Sequence, residues 1–246
     1  MTARGDLAAA RVLVVGVGGL GAPIALALGQ AGVGTVGLAD DDEVERTNLH
    51  RQVLFRDADV GRPKVSAGAE ALARRFPRLT VATHATRFLV ANAIDLARAY
   101  DLVVEGSDNF ATKFLAADAC KLADRPVIQA AAIGWRGTAL AVSPRGAPCY
   151  RCVFEDIPRE HAPNCAEAGV LGPVVGVVGA LAADLAIRHL AGADVAGTLV
   201  TFDARASEPV RRRTVRARPD CPLCGAHPEI ARIDVRRYVA DTAAYD

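Results

Sequence analysis

Short apolar runs alternate with amphipathic segments over the first part of the chain. The apolar runs, such as RVLVVG at 11–16, have the length and unbroken hydrophobic character of buried strands. Between them lie segments with helical periodicity, such as PKVSAGAEALARRF at 63–76. The predicted strands span 11–16, 35–40, 79–84, 102–105, 126–131 and 138–142, and the predicted helices span 18–31, 63–76, 90–99 and 109–123. This alternation predicts an α/β fold with a doubly wound, mostly parallel sheet.

The pattern changes after residue 142. Residues 143–172 combine Pro, Gly, Cys and charged residues without clear periodicity, which predicts a long ordered loop. A helix over 173–190 follows, with Pro173 in its first turn, where the missing N–H costs little. Strands at 198–203 and 210–215, a knuckle at 221–225 and a final strand at 230–238 complete the prediction. We therefore expect a single domain over 1–246, with an antiparallel C-terminal extension of the sheet.

Composition and charge narrow the classes of function. Hydrophobic residues make up 51% of the 246 residues, and a net charge of +1 gives no argument for a nucleic-acid partner or an acidic membrane surface. The longest uncharged stretch, 168–183, contains Pro173 and stops at Asp184, so it fits a buried helix better than a membrane span. No signal peptide is visible, because Gly16 and Gly18 interrupt the first apolar stretch. A cytoplasmic location without a membrane partner is expected.

A glycine-rich turn separates the first predicted strand from the first predicted helix. Its sequence, GVGGLG at 16–21, fits the G-x-G-x-x-G pattern in the strand–turn–helix context that the pattern requires. Glycines there let the backbone approach phosphate, although a plain tight β–α turn is the alternative. Asp40 stands 19 residues after Gly21, where an acid can accept hydrogen bonds from the ribose of either NAD or ATP. The candidate phosphate-binding glycines are Gly16, Gly18, Gly19 and Gly21.

Polar and cationic residues follow the acidic run DDD at 40–42. Asn48, Arg51 and Lys64 suit an enzyme that cleaves a triphosphate, because negative charge builds up on the phosphate oxygens. Each of the two cations, taken alone, could equally be a surface charge. Asp108 and Asn109 follow the carboxyl end of the strand at 102–105, where open α/β sheets bind ligands. Asp108 is therefore a candidate Mg²⁺ ligand, or else the cap of the helix that begins near Asn109.

Four of the six cysteines form two Cys-x-x-Cys pairs. Four thiolates suit a closed tetrahedral structural Zn²⁺ site, with a redox pair as the alternative. The predicted ligands are Cys149, Cys152, Cys221 and Cys224. Cys120 lies among alanines on a predicted helix and is expected in the core.

Cys165 is left over, in the polar loop NCAEAG at 164–169, and is a candidate nucleophile. His161 stands near it in sequence and is expected either to activate the thiol or to be solvated. Trp135 and Arg136 follow a predicted strand end, from which they could touch the tail of a bound protein.

Together, these motifs resemble the ThiF/MoeB/HesA family of adenylyltransferases, within the ubiquitin-activating superfamily. The resemblance is carried by AGVGTVGLADDDEVERTNLHRQVLF, GRPK at 61–64, DN at 108–109, CYRC at 149–152 and CAEAGVLGPVVG from 165. It covers 11–225, and the triple acid with GPVVGVVG is most similar to the ThiF branch. It implies ATP and Mg²⁺, a structural Zn²⁺, and a ThiS-like ubiquitin-like sulfur-carrier protein that ends in Gly-Gly. The carrier's terminal carboxylate would attack the α-phosphate, giving an acyl-adenylate and pyrophosphate for sulfur transfer in thiamine or related biosynthesis.

The resemblance also implies roles for individual residues. Asp40 would bind the ribose, and Asp42 would face the phosphates or the metal. Asp41 alternates in direction with these two residues and is therefore expected to be solvated or to bind a neighbouring loop. Asp108 would hold Mg²⁺. Cys165 would join the carrier during sulfur transfer if it acts as in ThiF-like proteins, whereas MoeB-like proteins have a cysteine here without a clear need for it. The remaining nucleotide and phosphate contacts would come from Gly19, Asn48, Arg51 and Lys64.

The resemblance further implies an assembly and a division of labour. Residues 11–142 would form the nucleotide-binding half, and 143–246 a crossover loop with the carrier-binding and zinc-binding half. A homodimer is implied, with 173–183 as a plausible interface element, although a buried core helix would look the same. Because the sequence ends near the zinc knuckle without an appended sulfurtransferase domain, the sulfur donor is expected to be a separate protein.

The chain departs from the family pattern at three places. An N-terminal arginine segment that reaches the partner's ATP site is missing, which implies a truncated start, a substitute residue or weak adenylylation. Glu105 stands where the family usually has Asp, and Lys113 where it often has Arg. Two other classes of protein are alternatives to an adenylyltransferase. The first is an NAD-dependent oxidoreductase, but Arg51, Lys64 and Asp108 argue against it. The second is a non-catalytic zinc-stabilised module that binds a ubiquitin-like partner. A MoaD-like carrier for the molybdenum cofactor is the alternative substrate.

Overall fold

The computed structural model describes residues 6–157 and 169–238. The eight strands in these ranges form one mixed sheet. Five strands run parallel to one another: β1 (Arg11–Val15), β2 (Thr35–Ala39), β3 (Thr80–His84), β4 (Leu102–Glu105) and β5 (Val127–Ile133). Their order in the sheet is β3-β2-β1-β4-β5, so the winding direction reverses between β1 and β4. In open parallel sheets, ligands bind beside the carboxyl ends of the strands at such a reversal.

Three antiparallel strands extend the sheet beyond β5. They are β6 (Arg136–Val142), β7 (Thr198–Asp203) and β8 (Val210–Thr214), and each pairs antiparallel with the strand before it. β8 is the outermost strand of the eight in the described part of the chain. The doubly wound sheet and its antiparallel C-terminal extension confirm the predicted fold class.

Helices cover both faces of the sheet. They are α1 (Gly21–Ala31), α2 (Lys64–Arg75), α3 (Ala93–Arg98), α4 (Phe110–Leu122), α5 (Arg151–Phe154) and α6 (Gly172–Leu190). One hydrophobic core lies under α1, α2 and α6 and includes Ile24, Leu72 and Leu185. The second lies under α3 and α4, includes Phe114, and extends to the cysteine pairs through Leu223. β1, β2, β4 and β5 are therefore largely buried on both faces, as their apolar sequences predict, whereas β3 at the edge of the sheet is only partly buried.

α6 is long and apolar enough to cross a membrane by length and composition, with a mean hydropathy of 1.5. In the structure it packs on α1, β5 and β6. The approach is close, because a Cβ on Gly179 would lie 2.6 Å from Pro23 of α1, and a Cβ on Gly137 of β6 would lie 2.4 Å from Val178. Such packing makes α6 a core helix, and Pro173 lies in its first turn as predicted.

The C-terminal region differs from the prediction. The strand predicted over 230–238 is wrong: the structure has only a 3₁₀ turn there, at Val235–Arg237. Ile230 and Tyr238 are buried singly against the second core, and the Tyr238 hydroxyl donates a hydrogen bond to Asp118. Apolar side chains at both ends of a segment can thus be buried without any strand pairing between them.

Smaller differences affect the loop and two helix starts. The loop predicted over 143–172 contains the short helix α5 and runs into the start of α6. α1 begins at Gly21 rather than 18, because the glycine turn occupies the intervening residues. α3 begins at Ala93 rather than 90, because the Asn92 side chain accepts a hydrogen bond from the Leu89 N–H and fixes a turn before it.

Candidate functional site

The glycine turn leads from β1 into α1 with its backbone folded closely on itself. Gly16 has a φ of +81°, and a Cβ on Gly21 would lie 1.8 Å from the Gly16 carbonyl oxygen. A Cβ on Gly19 would lie 3.3 Å from Val175 of α6. Glycine is therefore needed at 16 and 21 for the turn itself, and Gly18 and Gly19 present their backbone to an open cavity.

Asp40 fastens the acidic run to this turn. One carboxylate oxygen accepts a hydrogen bond from the Val17 N–H at 2.7 Å, and the other accepts from the Asp42 N–H at 2.9 Å. Burial raises the pKa of Asp40 above its ordinary 3.8, while the charge of Lys64 and the two N–H donors oppose that rise. Further acceptor capacity on the same oxygens remains for the hydroxyls of a ribose.

The other two acids of the run each meet a cation. Asp41 pairs with Arg87, at 3.4 Å, on the loop after β3, which confirms that Asp41 contacts a neighbouring loop. Asp42 pairs with the Lys64 ammonium at 2.6 Å. Lys64 is the first residue of α2 and is only 5% exposed, so this contact draws a nearly buried ammonium toward the cavity.

A short segment between β2 and α2 supplies further polar groups. Asn48 is buried at the end of a 3₁₀ turn, and the Arg51 guanidinium donates a hydrogen bond to the Thr47 carbonyl at 3.3 Å. Both side chains line the cavity. The Arg51 guanidinium therefore lies beside the glycine turn and is held by a long hydrogen bond to a neutral carbonyl.

Gln52, the polar residue after Arg51 in the segment that follows the acidic run, is a further site residue to which the sequence assigns no role. Its side chain is 3% exposed, yet its Oε1 has no hydrogen-bond partner among the described residues. A Cβ on Gly18 would lie 3.5 Å from its Nε2, so the amide sits against the glycine turn. A buried amide without a partner is costly unless a ligand completes it. Its place directly after Arg51 in the HRQ segment was the available signal.

Asp108 and Asn109 occupy the loop between β4 and α4. The Asn109 side chain accepts a hydrogen bond from the Thr112 N–H at 3.0 Å and is the N-cap of α4. The alternative that Asp108 caps this helix is therefore wrong. The Asp108 carboxylate is exposed to the cavity and has no ion-pair or hydrogen-bond partner within 6–157 and 169–238. Both of its oxygens are free to meet a cation.

A buried ion pair lies beneath that loop. Glu105 is fully buried at the end of β4 and pairs with the Lys113 ammonium at 2.8 Å. The ammonium also donates to the Ala130 carbonyl at 2.6 Å, and Glu105 accepts hydrogen bonds from the N–H and hydroxyl of Ser107. The two departures from the family pattern are thus partners of each other. Their contacts fix the loop that carries Asp108.

These groups converge on a single cavity of about 1050 Å³. Gly21 does not line it and only shapes the turn. Beyond the polar end, the cavity continues past Thr138 of β6 and Thr201 of β7 to Arg211 of β8. The cavity therefore extends from the glycine turn to the edge of the sheet at β7 and β8 and has room for a nucleotide. The predicted residues that line it are Gly16, Gly18, Gly19, Asp40, Asp42, Asn48, Arg51, Lys64, Asp108 and Asn109.

The four paired cysteines meet at one point, although the two pairs lie far apart in sequence. Their Sγ atoms all lie within 4.8 Å of one another, with Cys149–Cys221 at 3.5 Å and Cys152–Cys224 at 3.3 Å. Tetrahedral zinc with Zn–S bonds of about 2.3 Å separates neighbouring sulfurs by about 3.8 Å. The Arg218 N–H also donates to the Cys152 sulfur. The donor set and its spacing fit a structural Zn²⁺.

Arg151, between the two cysteines of the first pair, fastens this cluster to α4. Its guanidinium donates to both oxygens of Asp118, at 2.9 Å each, and lies 4.8 Å from the centre of the Phe114 ring. The Tyr238 hydroxyl donates to the same carboxylate at 2.7 Å. α4, which begins next to Asp108, is therefore held at its middle by the cysteine cluster and the C-terminal segment.

The remaining candidates fall in different places. Cys165 and His161 lie outside the described residues. Cys120 is fully buried, which confirms it as a core residue, and burial raises the pKa of its thiol well above the ordinary value. Arg136 pairs with Asp203 at 2.8 Å and lines the cavity, whereas Trp135 does not line it.

The fold and the cavity define a Rossmann-like α/β protein with a candidate nucleotide site and a four-cysteine cluster. The chain belongs to the ThiF family, whose model matches residues 2–223. It is 43% identical to the adenylyltransferase and sulfurtransferase MOCS3 of Bos taurus, over 98% of this chain and 53% of that protein. It is 40% identical to the adenylyltransferase and sulfurtransferase uba4 of Emericella nidulans, over 92% of this chain and 50% of that protein. The chain spans about half the length of the curated relatives it matches.

Solved structures show the same fold. E. coli MccB, crystallised with ATP, superimposes with a TM-score of 0.77 and 25% identity, over 89% of this chain and 68% of that one. PaaA superimposes with a TM-score of 0.71 at 21% identity, which is a likeness of fold alone.

Proposed function

We propose that this chain catalyses the ATP-dependent adenylylation of the C-terminal carboxylate of a ubiquitin-like sulfur carrier, of the ThiS-like kind. The observation that supports this most is a convergence in one cavity. Five features line the same space: the glycine turn, Asp40 at the position expected to bind a ribose, the cations Arg51 and Lys64, and the unpartnered acid Asp108. Membership of the ThiF family and the adenylyltransferase names of the relatives agree with it.

The reaction requires positioning and charge stabilisation rather than a covalent nucleophile. An oxygen of the carrier's carboxylate bonds to the α-phosphorus as the bond to the bridging oxygen of the β-phosphate breaks. The pyrophosphate leaves with that electron pair. Arg51 and Lys64 stabilise the negative charge on the phosphates, and Lys64 exchanges its contact with Asp42 for a phosphate oxygen. Asp40 accepts hydrogen bonds from the ribose, and Gln52 gains a partner for its buried amide.

Two metal ions belong to this proposal. Mg²⁺, when bound with the nucleotide, neutralises phosphate charge, and the free carboxylate of Asp108 is the protein group that fits it. The four paired cysteines would hold Zn²⁺ as a structural ion, since four protein sulfurs would leave no open position for a reactant.

Several expectations that follow from the resemblance remain part of the proposal. They are a homodimer, a covalent link between Cys165 and the carrier, and the division of labour between 11–142 and 143–246; the cytoplasmic location expected from the sequence also remains part of the proposal. A MoaD-like carrier is the alternative substrate, and the assay below discriminates between the two carriers.

The decisive test is Mg-ATP/pyrophosphate exchange with purified ThiS-like and MoaD-like carriers. Exchange should depend on one carrier, and Asp108→Asn should lower it by at least about 100-fold because the metal loses its protein ligand. Glu229→Gln, an exposed acid outside the cavity, serves as the matched control and should leave exchange unchanged.

The outcomes separate the classes of protein. Exchange with the wild type that survives in Asp108→Asn would contradict the role of Asp108. Carrier binding without any exchange would favour the non-catalytic zinc-stabilised module. Binding of NAD in preference to ATP would favour the oxidoreductase.

A further inference from the structure

β8 carries three consecutive arginines at the outer edge of the sheet. The strand has the sequence VRRRT, and all five of its residues are exposed. Its inner edge pairs with β7, and no strand within the described ranges pairs with its outer edge. Charged residues on an edge strand protect against aggregation, and that function alone requires no particular face. The arrangement of these arginines goes beyond this general role.

The three arginines divide between the two faces of the strand. Arg212 donates to Asp184 of α6 at 3.1 Å, so it points to the face that α6 covers. Because side chains alternate along a strand, Arg211 and Arg213 point to the opposite face. Neither of these two guanidinium groups has an ion-pair partner among residues 6–157 and 169–238. The free positive charge is therefore concentrated on a single face of the edge.

That face is continuous with the mouth of the cavity. Arg211 lines the cavity, as does Thr201, its partner on β7. Arg136 also lines this end, but Asp203 neutralises it at 2.8 Å. Any protein that inserts its C-terminus through this end must rest its body against Arg211 and Arg213. Two uncompensated cations at that place favour an acidic surface and oppose a basic one.

We propose that Arg211 and Arg213 form a docking surface for an acidic face of the carrier protein, next to the point where its tail enters. The inference rests on the proposed function, since it takes the carrier as the partner. An acidic protein fits better than a nucleic acid. The surface is only two side chains wide, it adjoins a cavity for a peptide chain, and the whole chain carries a net charge of only +1.

The test measures the carrier's dissociation constant and its KM in the exchange reaction, with the ThiS-like and MoaD-like carriers. Arg211→Glu/Arg213→Glu should raise both at least about tenfold and leave kcat at saturating carrier unchanged, because β8 lies at the edge of the sheet and the glycine turn follows β1 in its middle. The salt dependence of carrier binding should also flatten. Arg75→Glu/Arg78→Glu makes the same charge change on exposed residues near β3, at the opposite edge of the sheet, and should leave both constants unchanged.

Each outcome decides a different point. Equal weakening by both double variants, or none by either, would overturn the docking surface while exchange still supports the proposed function. Carrier binding that depends on Arg211 and Arg213 but yields no exchange would support the surface and overturn the adenylylation. Failure of the wild type to bind either carrier would overturn both. Displacement of the carrier by a single-stranded RNA oligonucleotide, in the wild type only, would reassign the surface to nucleic acid.

Discussion

At the scale of single residues, the pair formed by Glu105 and Lys113 has the most direct effect on the candidate site. Lysine lacks the two-pronged donor of arginine, and the longer glutamate side chain reaches the single ammonium instead. Glu105 then has acceptor capacity left for the N–H and hydroxyl of Ser107. The loop that presents Asp108 is therefore anchored from below by a buried network of hydrogen bonds.

Lys113→Met tests that anchor. We predict that it lowers the free energy of unfolding by about 3–5 kcal/mol, because Glu105 is left as an uncompensated buried charge. Glu105→Gln/Lys113→Met should recover a large part of the loss, since neither position then carries a buried charge. Urea denaturation measures both. Arg46→Ala, which removes an exposed pair with Asp57, is the control and should change stability by less than about 1 kcal/mol. Equal losses for Lys113→Met and Arg46→Ala would contradict the prediction.

The sequence predicts which residues line the cavity better than it predicts their partners. Motif and spacing place Asp40, Lys64 and Asp108 near a ligand, because strand ends and helix starts in this fold meet at one edge. The pairing of Lys64 with Asp42 joins residues from two elements and depends on how α2 docks beside β2. The unsatisfied amide of Gln52 depends on burial, and no spacing in the sequence reveals burial of a polar side chain.

At the scale of elements, strong periodicity and chain breakers predict the fold well up to β8. The unbroken apolar strands and the glycine turn needed no tertiary information. The strand predicted over 230–238 was wrong, because the apolar residues of this segment are buried one at a time rather than by strand pairing. Tyr238 is held by Asp118, a contact between positions far apart in sequence. The short helix α5 contains Cys152 of the cysteine cluster. It has only four residues, which is too short for helical periodicity to reveal it.

The cysteine cluster is the element-scale feature most open to test. Cys224→Ser should abolish the bound zinc and lower stability by about 3 kcal/mol, equivalent to roughly 6–12 °C in Tm, because the C-terminal knuckle loses its link to α5. Elemental analysis and thermal denaturation measure the two effects. Cys120→Ala, at a buried cysteine outside the cluster, should retain the zinc. A wild-type protein purified without zinc, or full zinc content in Cys224→Ser, would argue against the site.

At the scale of the whole molecule, apolar residues form an exposed patch around the start of α6. Ile133, Trp135, Leu171 and Val177 are each more than a third exposed. Ile133 and Trp135 lie near Leu171 because Gly134, between them, is bridged to Val170, two residues before α6. The same helix buries its other side in the core, so α6 is a core helix with one uncovered face. Contiguous exposed apolar surface of this kind marks an interaction site.

A second copy of the chain is the partner that this patch predicts. Pro173, Val177 and Ala180 form one exposed stripe along α6, and two such helices can pack closely because their side chains are small. We therefore expect a dimer in solution, and Val177→Asp should convert it to a monomer, since each copy would place a carboxylate in the interface. Light scattering coupled to size exclusion measures the mass. Val60→Asp, at a valine with the same 39% exposure elsewhere on the surface, should leave the dimer intact. A wild type that is monomeric at micromolar concentration, or a Val177→Asp variant that stays dimeric, would show that another surface or another partner covers α6.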